Sequence, residues 1–111
     1  MDLATLKYIG EGRNRKVYLT PSGKNVIKVP KNDFGINDNY QEARESKRNG
    51  WLYKSQKAKC RLLSNGWLIM EWVEIDLSAK YTDMPNWVSA VDCGQVGYNA
   101  KGQLVAYDYG D

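Results

Sequence analysis

At 111 residues the chain has the size of one domain, and 42% hydrophobic residues suffice for a single modest core. There are no histidines, and Cys60 and Cys93 lie far apart, which excludes a Cys/His zinc site and histidine acid–base catalysis and leaves two reduced thiols. The net charge of +3 hides a segregation: residues 1–61 carry 14 Lys/Arg against 6 Asp/Glu, whereas residues 62–111 carry 2 against 7.

Leu6–Ile9 and Lys16–Leu19 alternate apolar and polar residues on either side of Gly10–Arg15, a segment of turn composition, and together they predict a hairpin. Thr20–Lys24 reads as a second turn, and the β-branched run Asn25–Val29 as a third strand that Pro30 ends. Asp38, three residues before Gln41, makes a weak capping box for a helix over Tyr40–Arg48, with Asn49-Gly50 as its stop. The apolar stripe of that helix, Ile36, Tyr40 and Ala43, is thin, so it is expected to lie across a sheet. Cys60–Leu63 and Trp67–Val73 flank Ser64-Asn65-Gly66, the strongest hairpin signal in the chain. Residues 74–92 are mixed, with Met84-Pro85 opening a short helix through Trp87, Val88 and Val91. Gln95–Tyr98 and Gln103–Tyr107 flank Asn99–Gly102 as a third hairpin. The expected class is therefore α+β: residues 5–73 form a five-stranded antiparallel sheet with one packed helix, a C-terminal hairpin follows, and residues 1–111 make a single domain.

No apolar run approaches the ~18 residues that cross a bilayer. Residues 1–7 lack the basic and apolar regions of a signal peptide. The expected location is cytoplasmic, with no membrane partner. A basic half suits phosphate or nucleic acid, but an ordinary solvated surface explains it as well, and no RNA- or DNA-binding signature accompanies it, so nucleic acid is not an expected partner.

Gly10-Glu11-Gly12-Arg13-Asn14-Arg15-Lys16-Val17 reads G-x-G-x-x-R-x-V, and glycines in such a turn let backbone N–H groups approach a polyphosphate. Plain turn glycines fit the same pattern. In Val26-Ile27-Lys28-Val29 a lysine stands among β-branched residues, and a cation pointing from that sheet face needs a carboxylate, Glu42 or Glu45 on the helix. Asp108, in Asp108-Tyr109-Gly110-Asp111, is either a ligand-binding carboxylate or a solvated turn residue. Trp51, Trp67, Trp72 and Trp87 exceed what one thin helix and a small sheet readily cover, which leaves them divided between core and partner surface.

Taken in order, these motifs resemble the small lobe of the protein-kinase fold, and small phage-encoded kinase-like proteins in particular. That lobe sets a Gly-rich hairpin, a strand Lys in V-A-I-K, a helix Glu and two more strands in the same sequence. Trp67–Glu74 is similar to the fifth strand and hinge, whose backbone holds adenine in that family, and Leu104–Gly110 to the strand and D-F-G motif, with Tyr109 for Phe. The resemblance covers most of residues 6–74 and again 93–110. It implies weakly held ATP and Mg²⁺, with Gly10, Gly12, Lys28, Glu42 and Asp108 at the nucleotide and Asp108 also at the metal.

The departures bear on activity. Arg15 stands at the third loop glycine. Aligning Gly94 with the glycine of the family's catalytic loop puts Gln95 at the metal-binding Asn and Ala90 at the catalytic Asp; a one-gap shift would let Asp92 substitute. The resemblance stops at Gly110, before an activation segment and the helical large lobe. It implies a minimal, inactive kinase-like module that binds a host or phage protein through Arg13, Arg15 and Lys16, in the manner of a phage-encoded inhibitor of a host or defence factor. The alternative is an active miniature phosphotransferase using Lys28, Asp108 and Mg-ATP.

Overall fold

Five strands form one antiparallel sheet: β1 (Lys7–Glu11), β2 (Arg15–Leu19), β3 (Asn25–Pro30), β4 (Cys60–Leu62) and β5 (Leu68–Glu71). Their spatial order is β1-β2-β3-β5-β4. The one α-helix among the described residues, α1 (Asp33–Glu45), packs against β3 and β4, and a two-stranded hairpin of β6 (Val96–Tyr98) and β7 (Leu104–Ala106) follows. The expected α+β architecture is thus present. The computed structural model describes residues 2–50, 52–74, 84–91 and 95–109, with Ser89 and Ala90 described by backbone alone. Trp51, Asp92, Cys93, Gly94, Gly110 and Asp111, all invoked by the sequence reading, lie outside these residues.

The turns follow their chemistry. Gly66, with φ 88°, supplies the left-handed residue that the Asn-Gly turn between β4 and β5 needs. The first hairpin is tighter than composition suggests, because β1 runs on to Glu11 and β2 starts at Arg15, closed by Gly12 N–H donating to the Arg15 carbonyl at 2.9 Å.

The helix is the main correction. It starts at Asp33 and ends at Glu45, five to seven residues ahead of the Asp38 cap and Tyr40 start and three short of Arg48. Its cap is Asn32, whose side chain accepts from Gly35 N–H at 3.0 Å. This first half contains Gly35, Asn37, Asp38 and Asn39, all poor helix formers. What holds it is packing: the buried stripe is Gly35, Asn39, Glu42 and Ala43, not the expected Ile36 and Tyr40, which are exposed.

The core sits between sheet and terminal hairpin, where Val26, Leu68, Met70 and Val73 meet Val96, Val105, Ala106 and Tyr109. Two backbone seams fix the hairpin. Glu74 and Tyr98 exchange N–H···O bonds of 2.8 Å in both directions, and Ala58 N–H donates to the Ala106 carbonyl at 2.8 Å. Pro85 opens a 3-10 turn over Asn86–Ala90, as expected of a short helix there, and it buries Val88 and, just beyond, Val91. No helix among the described residues is long and apolar enough to cross a membrane.

Tyr109 is the pin of this arrangement. It is buried, its hydroxyl donates to the Ala58 carbonyl at 2.5 Å, and Cys60 Sγ lies 3.2 Å from the same oxygen. Burial pushes its hydroxyl well above the ordinary phenol range. Tyr109→Phe is therefore expected to lose about 1–3 kcal/mol, the cost of leaving a buried acceptor unpaired, as a lower urea midpoint at unchanged slope.

Candidate functional site

A cleft of about 900 Å³ opens between the first hairpin, β3, the end of β5 and the segment after β7. Gly10, Gly12 and Arg13 line its hairpin side. Val17, Val26 and Met70 give apolar wall, Trp72 and Val73 follow β5, and Lys28, Gln95 and Asp108 face in from below. Every residue expected at a nucleotide except Glu42 lines this cleft, and Glu42 stands directly behind Lys28.

Gly10 and Gly12 are informative because the fold itself does not require them. Neither is among the positive-φ glycines, and a Cβ built at either would meet nothing within 4 Å. Both line the cleft, and their bareness leaves the backbone there open to close approach of a ligand.

Four charged groups meet where the cleft wall joins α1: Arg15, Lys28 and Asp108, which line it, and Glu42 behind them. Glu42, fully buried, accepts from Lys28 Nζ at 2.7 Å, from both terminal nitrogens of Arg15 at 2.8 and 3.2 Å, and from Tyr109 N–H at 3.1 Å. Of the two carboxylates expected for Lys28, Glu42 is the one used; Glu45 instead lies near Lys57 and Arg48. Lys28 also donates to the Tyr107 carbonyl at 2.7 Å, and Arg15 reaches Asp108 Oδ1 at 3.4 Å. Asn39 completes the set, accepting from Arg15 at 3.1 Å and donating to the Lys28 and Gly66 carbonyls. One helix thus ties β2, β3 and the segment after β7 together.

Electrostatics separate the two carboxyl groups. Burial pushes Glu42 up, but Lys28 and Arg15 outweigh it and hold the group down at about 2. Asp108 goes the other way, raised to about 6 by burial and by the neighbouring Glu42 against the pull of Lys28 and Arg15. Glu42 therefore contributes stability present above its ordinary value of 4.5 and lost as pH falls toward about 2. Asp108 binds its proton more tightly when folded, so its contribution is full below its ordinary 3.8 and is lost as pH rises through about 6. The melting temperature is expected to be higher at about pH 5 than at about pH 7.5, and Asp108→Asn to flatten that decline; thermal melts at the two pH values check it.

Arg15 is the second correction. Placed by sequence on the partner surface beside Arg13 and Lys16, it is 8% exposed and points inward to Glu42 and Asp108, while Arg13 and Lys16 are exposed. The signal was available: period two along β2 sets Arg15 on the face of Val17 and Leu19, which pack on the core. Asp108 is not a solvated turn residue either, since it lines the cleft and pairs with Arg15. Of the tryptophans, Trp72 is exposed at the cleft, and Trp67 and Trp87 are half-buried.

A second buried lysine escaped the sequence reading. Lys57 donates to the Glu45 and Arg48 carbonyls at 2.6 and 2.9 Å, closing the C-terminal end of α1, and its Nζ lies 5.8 Å from the Tyr109 ring centroid.

The cleft fits a nucleotide in its apolar walls, its bare glycines and its inward Lys28. It does not fit Mg²⁺. Asp108 shares its carboxylate with a guanidinium, Gln95 is neutral, and among the described residues no three His, Cys, Asp or Glu side chains are grouped to hold a metal ion. Comparisons with protein-family models, with curated proteins and with solved structures return no match for this chain.

Proposed function

We propose that the chain is a kinase-like small-lobe module that holds a nucleotide weakly and acts by binding a protein partner, without itself transferring phosphate. The observation that carries this reading is the convergence of Gly10, Gly12, the Lys28–Glu42 pair and Asp108 on one cleft. What the cleft lacks argues against transfer: Gln95 is its residue from the segment before β6, and the sequence has Ala90 where the resembled family has its catalytic Asp. Phosphoryl transfer depends mainly on positioning and charge, so those exchanges remove much of the rate. The affinity expected of this open cleft is no better than about 100 μM, or roughly −5.5 kcal/mol.

The partner side rests on Arg13, exposed at the cleft, on exposed Lys16 and on exposed aromatic side chains such as Phe34 and Tyr40. A partner with an acidic face would be steered to that rim. A host protein is the expected target, met as a phage-encoded inhibitor meets one. The alternative, an active miniature phosphotransferase, draws on the intact Lys28–Glu42 pair, the arrangement that active kinases use.

Radiolabelled ATP with the purified protein, alone and with lysate, separates the two. The proposal expects no incorporation, together with a recovered partner that is lost when Arg13 and Lys16 are reversed to Glu. Incorporation that disappears in Asp108→Ala would favour the phosphotransferase.

A further inference from the structure

In the resembled fold a divalent cation sits between the D-F-G aspartate and the phosphates, whereas here the aspartate faces an arginine from the hairpin itself. Arg15 donates both terminal nitrogens to Glu42 and extends one of them to Asp108, so its guanidinium occupies the charge-balancing role between two carboxyl groups. Within this group of four, Arg15 and Lys28 are two positive charges set against the two carboxylates Glu42 and Asp108. A free divalent cation entering there must compete for both carboxylates with a guanidinium held by four hydrogen bonds.

The other carboxylates along the cleft do not supply a metal shell. Glu11 is paired with Lys31, Asp38 accepts from Asn14, and Glu71 accepts from Lys59 N–H. Glu74 lies beyond β5, at the opposite end from the hairpin tip. The cleft's cations, by contrast, cluster toward the hairpin, with Arg13 exposed at its tip and Arg15 and Lys28 inside. A guanidinium forms charge-assisted hydrogen bonds to phosphate oxygens as readily as to carboxylates, so Arg15 is able to exchange one partner for another without leaving its place.

We infer that the cleft binds the polyphosphate of its nucleotide without a divalent cation, Arg15 supplying the positive charge that a metal ion supplies in the resembled family. The inference rests on the nucleotide reading above. It gives the departure at the third loop glycine a role: the position that elsewhere must be bare to let phosphates and metal in here carries the cation.

Isothermal titration calorimetry with ATP, once in EDTA and once in MgCl₂, tests it on the wild-type chain. The expected result is binding in EDTA at least as tight as in MgCl₂, within about threefold. Arg15→Met is expected to weaken binding in EDTA about tenfold or more, as loss of charge-assisted contacts does. Asp108→Asn should tighten it by about threefold, since a like charge beside the phosphates disappears and the guanidinium is released to them. Should Arg15→Met fail to fold by circular dichroism, the EDTA comparison and Asp108→Asn decide. Binding that requires Mg²⁺, or that Asp108→Asn abolishes, would overturn the inference and leave the nucleotide reading standing. Absence of binding in both buffers would remove the nucleotide reading and this inference with it.

Discussion

Glu42→Ala is expected to cost about 3–5 kcal/mol, the loss that follows when one member of a buried ion pair is removed and its partner left uncompensated. Two cations, Arg15 and Lys28, and one backbone N–H, that of Tyr109, lose the Glu42 carboxylate together, although Arg15 keeps Asn39 and Asp108 and Lys28 keeps the Tyr107 carbonyl. Native domains are stable by only about 5–15 kcal/mol, so the variant sits near the edge of folding, with a melting temperature lower by some 12 °C or more. Lys28→Met should cost less, since Glu42 keeps Arg15 and the Tyr109 N–H. Urea denaturation of both variants gives the ranking; a Glu42→Ala loss below about 1 kcal/mol would mean that the pair behaves as an exposed one.

Gly35→Ala is the second large effect, and its sign runs against helix propensity. In an open helix the change would stabilise by about 1 kcal/mol. Here the added Cβ would lie 2.3 Å from the Asn14 carbonyl oxygen and 3.0 Å from Pro30 Cα, both backbone atoms. The Asn14 carbonyl is itself held by Lys31 N–H at 2.8 Å, so it does not swing aside. The helix must then lift off the first hairpin turn and β3, and overpacking of this kind costs about 1–3 kcal/mol before the displaced Asn39 and Glu42 are counted. The variant is expected to lose stability and nucleotide binding together, whereas an increase in melting temperature would show that α1 does not rest on that contact.

Sheet, hairpins and cleft residues were legible in the sequence for reasons that the structure makes plain. The alternation along β1 and β2 and the β-branched run of β3, which is buried on both faces at Val26, Ile27 and Lys28, are strand signals carried by the residues themselves, and Asn65-Gly66 encodes its turn locally. Lys28 advertised its partner because an inward lysine among β-branched residues cannot stand alone. The helix start was illegible because its first half is held by what it touches: Gly35 by the closeness of Asn14 and Pro30, and Asn39 by three hydrogen bonds to residues 11 to 27 positions away. Propensity has no access to such contacts. Arg15 was misplaced for a different reason. Its neighbours Arg13 and Lys16 are surface residues and the three read as one basic cluster, although strand alternation already turned the side chain inward.

The central claim, that the cleft is a nucleotide site, is tested most directly by titrating ATP into the ¹⁵N-labelled protein and following backbone amide shifts. The account predicts concentration-dependent shifts at Gly10, Gly12, Lys28, Val73 and Asp108, saturating in the range of about 100 μM or weaker, with Lys54 and Lys101 outside the cleft unmoved. Shifts scattered over exposed lysines, or none at the hairpin and Asp108 at millimolar ATP, would contradict it.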